Sequence, residues 1–399
     1  MNSFEIGRAL TEITLGIDAF ERRQPKEGSL LGGDGLIPIF IPTSGISGRR
    51  YDDHDRIKDD LTALDAEVAK LAAGPRQVFL QGMLKSLRVA VKMLSGSTVP
   101  SFEEKVTDLV GAPAGREDAA LIEDARGKVD ALLTKAGFTT GDLRARVEAW
   151  EAARAVPKDK VETVFRELMA DAKARTNKLI FDTGDYDMVL RPVTGQFYTA
   201  RCSFNEGVMD LNMDLSFTRA ALKHLVCHEV YPGHSTQLLS TKKAVDDGKA
   251  PADALLITTD AITGCVQEGI GDQGAHLIDF ITDDDDLIHV ELRRVRSAAQ
   301  TSAAWMLMVE GLPREDVANY LRTVAMGQEA WVQGRLRMAA HPFRGPFISS
   351  YWAGNESVRR VRERVTKAQW PTFLEALYCN ANSPQSLEMF PQTVIEKAA

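Results

Sequence analysis

Cysteine is scarce in this chain of 399 residues and is never closely paired. Cys202, Cys227, Cys265 and Cys379 stand singly, whereas zinc ribbons and small disulfide frameworks need cysteines at short, regular spacings. The sequence therefore excludes both kinds of small stapled domain. Scattered thiols of this kind are typical of a reducing compartment, so we expect a cytoplasmic location.

Long apolar runs are also missing. No stretch approaches the eighteen or more consecutive apolar residues that a transmembrane helix requires. Residues 1–20 have acidic side chains within their apolar pattern and lack the basic-then-apolar layout of a secretory signal. We therefore expect no membrane partner.

Positive charge is in deficit as well. The chain has 48 lysines and arginines against 56 aspartates and glutamates, for a net charge of −8, and no basic stripe stands out. This balance disfavours a nucleic-acid partner. The expected partner is a small molecule or a short peptide, and the composition does not indicate an oligomeric state.

Helical periodicity dominates the chain and predicts a mainly α fold. It covers residues 1–177, apart from a glycine- and proline-rich loop, and it returns after residue 214. Between 178 and 214 the period shifts towards two, which predicts a small β-sheet. We expect an N-terminal helical region, 1–177, and a C-terminal catalytic region, 178–399, packed as one compact unit. The predicted strands are residues 186–193, 195–203 and 208–213.

Two shorter segments also have a predicted structure. Residues 251–260 show the pattern of a helix. The run Asp283–Asp286 lacks the alternating ligand spacing and the closing glutamate of a calcium loop. It therefore predicts a solvated acidic turn before the next helix.

The densest group of chemically active side chains begins within a predicted helix, 215–231, and ends just after it. Within eleven residues it holds His224, His228, Glu229 and His234. The helix of a zinc peptidase carries two histidine ligands four residues apart, with a glutamate beside the first as general base. Here the second histidine comes six residues after His228, which in an unbroken helix lies about 240° round the axis.

A break in this helix would allow His228 and His234 to bind the same ion. Pro232 has no amide hydrogen and clashes with the preceding turn, and Gly233 tolerates unusual backbone angles. A bulge or break there would return His234 to the face of His228. His224 and His228 form a competing pair four residues apart, and a buried histidine cluster at a helix end is the purely structural alternative.

The segment from His228 to His234, HEVYPGH, resembles the His-Glu-x-x-Pro-Gly-His signature of a zincin-like family. That family is catalogued mainly as a domain of unknown function and is related to helical gluzincin peptidases. A Glu-Gly pair that lies downstream in the family is matched by Glu268-Gly269, and the resemblance covers residues 195–358. It implies a large helical zincin-like domain with a small sheet beside the metal-binding helix, and one Zn²⁺ ion.

With this resemblance, Glu268 is the predicted third ligand beside His228 and His234. Two imidazoles and one carboxylate leave a position open on a tetrahedral ion, as in catalytic sites. Manganese, cobalt or iron would suit the same donors. Glu229 is predicted to take a proton from the activated water and pass it to the leaving nitrogen.

Other acids and histidines have predicted supporting roles. Asp272, one turn after Glu268, is either a ligand or a carboxylate that orients a ligand histidine. Asp260 is a weaker candidate for the orienting role. His54 and His289 have no partner that the sequence identifies.

The oxyanion of a tetrahedral intermediate needs a hydrogen-bond donor. The aromatic segment 341–352 concentrates donors, among which Tyr351 and Arg344 are preferred and His341 is the alternate. Tyr198 falls where a strand of the resembled family approaches the substrate, so it is a predicted substrate contact.

The chain departs from the family beside these residues. The sequence EGIGDQ at 268–273 replaces the EGWALY that is frequent there, and Trp331 stands where a tyrosine is frequent. The ligands persist while the pocket differs, so the family does not define the substrate.

These residues predict a zinc-dependent hydrolase that cleaves an amide or peptide C–N bond with metal-activated water. A hydrolase of a small non-peptide amide or related metabolite is the second interpretation. A metal-stabilised binding protein without catalysis is the third. Glu229 separates the last from the others, because a structural metal site has no use for a base beside its ligand.

Overall fold

The structure is a computed structural model that describes residues 1–25, 30–31, 35–196, 199–258 and 261–391. It is mainly helical, with 63% helix and 5% strand, which confirms the predicted fold class. None of the helices in these ranges combines the length and apolarity that crossing a membrane requires.

The helices occur along the chain in the following order. They are α1 (Ser3–Arg22), α2 (His54–Val68), α3 (Pro75–Leu94), α4 (Phe102–Glu104), α5 (Ala119–Lys135), α6 (Leu143–Ala153), α7 (Val161–Leu179), α8 (Arg219–Glu229), α9 (His234–Asp246), α10 (Thr263–Leu277), α11 (Asp284–Met308), α12 (Arg314–Thr323), α13 (Glu329–Ala339), α14 (Ile348–Arg364), α15 (Trp370–Cys379) and α16 (Pro384–Glu388). A π-helical turn, Lys105–Val110, continues α4.

Three strands form the predicted small sheet: β1 (Val189–Val193), β2 (Ala200–Ser203) and β3 (Val208–Asn212). Their order is β1-β3-β2, with β3 parallel to β1 and antiparallel to β2. The central strand is the most buried, from Met209 to Asn212. Within the described part of the chain β2 pairs with β3 alone, so it is an edge strand of this sheet.

The chain divides into two compact units that alternate along the sequence. The first comprises Met1–Gly115, Gln237–Gly269 and Met338–Ala399, and the second comprises Arg116–Thr236 and Ile270–Arg337. The boundary expected at residue 177 falls inside the second unit. Helices α9, α10 and α13 each begin in one unit and end in the other.

The core of the second unit packs α7 and α8 around the sheet. Its fully buried side chains include Phe165 and Leu168 from α7, Leu211 from β3, and Leu222 and Val226 from α8. Burial of a leucine, valine or phenylalanine side chain stabilises a fold by about 1.5–3 kcal/mol. This core fixes α8, which carries His228, the first of the predicted metal ligands.

The acidic run is not the solvated turn that the sequence predicted. The carboxylate of Asp283 accepts the Asp286 amide at 2.9 Å and caps α11, so the following aspartates form the first helical turn. Carboxylates are stabilised there by the helix dipole. Asp286 is buried and pairs with the equally buried Lys223 of α8.

The helix predicted at 251–260 is also absent from the described residues of that segment. Only a short 3₁₀ turn forms, Ala252–Leu255. The fully buried Asp253 accepts Arg76 at 2.6 and 2.8 Å, one contact to each carboxylate oxygen. This tertiary pair outweighs the local helical pattern.

Candidate metal centre

The predicted break separates α8 from α9. Helix α8 ends at Glu229 and α9 begins at His234, so four residues join them. A Cβ atom on Gly233 would lie 1.7 Å from the carbonyl oxygen of His228, so only glycine fits this turn. Thr236 closes it, because its amide and its hydroxyl both donate to the Val230 carbonyl, at 3.2 and 2.9 Å. The break is complete, where the sequence predicted at least a bulge.

The break brings two of the predicted ligands together. The rings of His228 and His234 have centroids 4.8 Å apart and are nearly perpendicular, at 84°. Each of His228, His234 and Glu268 offers a ligand atom, and these three atoms all lie within 4.8 Å of one another. His228 is buried and the other two are partly buried. Two imidazoles and a carboxylate at this separation suit a catalytic zinc ion.

Asp272 lies beside the His228 ring. Its Oδ1 is 3.2 Å from His228 Nδ1, and its side chain is only 1% exposed. The ring packs directly against the backbone of Gly271, where an added Cβ atom would lie 2.7 Å from Nδ1. A carboxylate at Nδ1 fixes the ring and its tautomer, and directs Nε2 towards an ion. The geometry therefore favours the orienting role among the two predicted for Asp272.

A second set of donors shares His228. Ligand atoms of His224, His228 and Asp272 also lie within 4.8 Å of one another. However, Arg293 Nη2 donates to Asp272 Oδ1 at 2.9 Å. Two like unit charges 4 Å apart repel by about 4 kcal/mol at an effective dielectric constant of ~20, and a divalent ion doubles this repulsion. The guanidinium therefore disfavours this set.

Helix α11 supplies two residues of this site that the sequence analysis missed. His289 and Arg293 are four residues apart on one face of α11. The ring of His289 lies 5.3 Å from that of His224, and Arg293 reaches Asp272. Their spacing is visible in the sequence, but their partners lie on other helices. His54, the other histidine without a predicted partner, contacts Glu21 at 2.8 Å.

Burial and charge set the protonation of this group. Burial opposes ionisation of Asp272, but Arg293 and the imidazoles of His228 and His224 together hold the pKa of its carboxyl well below the usual value. Burial, with Arg293 nearby, places the pKa of His224 well below 6.5, and burial with Arg293 and Arg296 lowers the pKa of His289 to about 3. The Asp272 carboxylate is thus charged, and the imidazoles of His224 and His289 are neutral.

The predicted base, Glu229, is partly buried and lies next to the sheet. Burial, followed by the charge of Glu229 and a hydrogen bond to it, raises the pKa of the Cys202 thiol. The thiol therefore donates to the Glu229 carboxylate, and Cys202 belongs to the edge strand β2. The Ser235 hydroxyl donates to the backbone carbonyl of Glu229 at 3.0 Å.

A buried cation anchors α8 upstream of these residues. Lys223 Nζ donates to the Phe280 carbonyl at 3.1 Å and to Thr282 Oγ1 at 2.9 Å, and it pairs with Asp286. Both charged side chains are 5% exposed. Full hydrogen bonding makes the buried charge tolerable and fixes the turn that precedes His228.

Among the predicted oxyanion donors, Tyr351 has the most suitable position. Helix α14 packs tightly on the first half of α10, because Cβ atoms on Gly264 and Gly269 would lie 2.4 Å from the Phe347 ring and 2.2 Å from the Gly354 carbonyl. Tyr351 is four residues after Phe347 and three before Gly354, so it shares the face of α14 that meets α10. Its ring packs edge-on against that of Phe347, at 5.8 Å. That face adjoins the turn that carries Glu268.

The other two donors have structural partners. His341 Nδ1 accepts the amides of Phe343 and Arg344 at 3.3 and 3.0 Å, which caps the turn. The Arg344 guanidinium donates to the Leu31 carbonyl at 3.3 Å. Both side chains therefore contribute to the local structure of this segment. The predicted Tyr198 and Asp260 lie outside the described residues.

Comparison with known proteins gives relatives by fold alone. No family model matches the chain, and no curated protein matches it. Six solved chains match it by fold, two of which are the following. A candidate lipoprotein of unknown function from Shewanella oneidensis is 14% identical with a TM-score of 0.55, over 84% of this chain and 70% of that one. A candidate lipoprotein from Colwellia psychrerythraea is 15% identical with a TM-score of 0.56, over 84% of this chain and 62% of that one.

Proposed function

We propose that this protein is a metal-dependent hydrolase, with Zn²⁺ as the preferred ion, that cleaves an amide or peptide C–N bond. One observation carries the proposal: the ligand atoms of His228, His234 and Glu268 converge within 4.8 Å, and Glu229 directly follows the first of them. A purely structural zinc site has four protein ligands and needs no base. Three ligands with an adjacent carboxylate favour a catalytic site.

The protein's own residues divide the work of the reaction. His228, His234 and Glu268 would hold a zinc ion, which would lower the pKa of a coordinated water to about 7. Glu229 accepts the proton of the attacking water and passes it to the leaving nitrogen. Asp272 lies 3.2 Å from His228 Nδ1 and orients the ring electrostatically, and Tyr351 donates to the oxyanion that forms at the carbonyl.

The sheet suggests how a substrate is held. Cys202 contacts Glu229, so edge strand β2 lies beside the proposed base. An extended peptide can add to an exposed strand edge through backbone hydrogen bonds. We therefore propose short peptides as the first substrate class. This agrees with the sequence resemblance to gluzincin-like proteins, and small non-peptide amides are the second class.

Elemental analysis and a substrate screen test the proposal together. Purified protein should hold about one zinc ion per chain, and at least one dipeptide or small amide should be hydrolysed. Glu229→Gln should keep the ion and lose about 10²- to 10⁴-fold in kcat, because only proton transfer is removed. Glu206→Gln, a change of an exposed glutamate in the same unit, is the matched control and should behave as wild type.

Two results would count against this function. A folded wild type that takes up no divalent ion removes the metal centre. A wild type that holds an ion and leaves every tested amide intact, with the Glu229→Gln variant indistinguishable from it, supports a metal-stabilised binding protein.

A further inference from the structure

Three helices of the second unit meet behind His228. Helix α8 presents His224 and His228, α10 presents Asp272, and α11 presents His289 and Arg293. Asp272 Oδ1 is the centre of this group, at 3.2 Å from His228 Nδ1, 3.5 Å from His224 Nε2 and 2.9 Å from Arg293 Nη2. One carboxylate oxygen thus faces two imidazoles and one guanidinium.

The two possible ligand sets are alike in donor chemistry. His228, His234 and Glu268 offer two imidazoles and a carboxylate, and so do His224, His228 and Asp272. Because both sets use His228, an ion can occupy only one of them. Neither the donor types nor the 4.8 Å limit distinguishes the sets, so another feature of the protein must do so.

We propose that Arg293 selects the ligand set, because it holds Asp272 Oδ1 at its place beside His228 Nδ1 and keeps it from ligating the ion. This rests on the metal centre proposed above. Arg293 is therefore a positioning residue that acts through Asp272. A fixed guanidinium at 2.9 Å neutralises the carboxylate and repels a cation that approaches the same oxygen.

Loss of the guanidinium has a specific consequence under this proposal. The Asp272 carboxylate becomes available as a donor beside the imidazoles of His224 and His228, and the second ligand set becomes competent. The protein would then retain an ion even without His234. A merely structural role for Arg293 would change stability without changing which histidine the ion needs.

The test crosses the loss of His234 with the loss of Arg293. The affinity for Zn²⁺ and Co²⁺ is measured by chelator competition, together with the absorption spectrum of bound Co²⁺, so no turnover is needed. His234→Ala alone should weaken binding by about 100-fold or more. In the Arg293→Gln background the same change should weaken it by less than about 10-fold, and adding Asp272→Asn should remove that recovery.

Two matched controls separate selection from general damage to α11. Arg296→Gln removes another arginine of the helix, whose Nη2 contacts Glu151 at 3.2 Å instead of Asp272. Arg293→Lys keeps a positive charge at the position. In both backgrounds His234→Ala should weaken metal binding by the same factor as in the wild type. His224→Ala in otherwise wild-type protein should change the affinity by less than about threefold, a test that needs no change at Arg293.

The outcomes distinguish the two proposals. The selection by Arg293 is overturned if His234→Ala weakens metal binding equally with and without Arg293 in folded proteins. It is also overturned if His224→Ala weakens binding as much as His234→Ala does. In both cases the metal centre stands. If wild-type affinity is indifferent to both His234 and Glu268, the metal centre itself is wrong and this inference falls with it.

Discussion

Two buried aspartates, one in each unit, pair with arginine to different ends. Asp253 is fully buried, and each of its carboxylate oxygens accepts a separate nitrogen of Arg76. Asp272 has a side chain that is 1% exposed, and its Oδ1 is shared between Arg293 and the imidazoles of His228 and His224. The Arg76 guanidinium binds both oxygens of Asp253 and thereby stabilises the fold. The single oxygen of Asp272 instead links Arg293 to the histidines of the candidate metal site.

The largest effect on stability should come from the first pair. Arg76→Met leaves Asp253 buried without its cation and should lower the free energy of unfolding by about 3–5 kcal/mol. Urea denaturation of the metal-free protein measures this. Arg88→Met on the same helix is the control, because Arg88 pairs with Asp65 and both side chains are about 40% exposed. Equal losses for the two variants would contradict the comparison.

The second pair should act on the ion more than on the fold. Asp272→Asn removes the carboxylate that orients His228 and should weaken metal binding by about 10- to 100-fold. Chelator competition measures this, with Asp253→Asn beside it. Asp253→Asn should reduce stability and leave the affinity of the folded fraction unchanged. The reverse pattern would show that the roles of the two aspartates have been exchanged.

An exposed ion pair, Arg322 with Glu329, should have the smallest effect on stability. The Glu329 carboxylate accepts Arg322 at 2.8 and 3.0 Å on the surface, and these hydrogen bonds, with a further one from Gln333, lower the pKa of Glu329 to about 2. A lowered carboxyl pKa stabilises the fold above the unfolded value of about 4.3, and this contribution disappears as the pH falls towards 2. Glu329→Gln should therefore shift the melting temperature slightly at pH 7 and not at pH 2, and salt should reduce the shift. An unchanged shift at low pH would contradict the assignment.

Local patterns predicted the elements that carry the site. The strand candidates, the helix that became α8, and the break at Pro232 and Gly233 depend on residues close in sequence, and the structure confirms them. Proline and glycine act within one turn of backbone, so their effect is visible without tertiary information. This local effect is what brings His234 to His228.

Most of the errors come from pairs between distant residues. The acidic run became a helix start partly through a local cap, in which Asp283 accepts the Asp286 amide, and partly because Asp286 pairs with Lys223, 63 residues away. Residues 251–260 did not form the predicted helix, since Asp253 is bound by Arg76. The contact of Cys202 with Glu229 has no sequence signal, because it joins a strand to a helix. The zinc cofactor, the substrate class and the cytoplasmic location stay predictions.

The close contact between the Gly271 backbone and the His228 ring makes position 271 sensitive to any side chain. Even a methyl group there would meet the His228 ring, whose nearest atom lies 2.7 Å from the added carbon. The imidazole would have to move, and with it the nitrogen that His228 offers to the proposed ion. A glycine without any functional group therefore holds the His228 ring in place, and Gly271→Ala should weaken metal binding although every donor atom remains present.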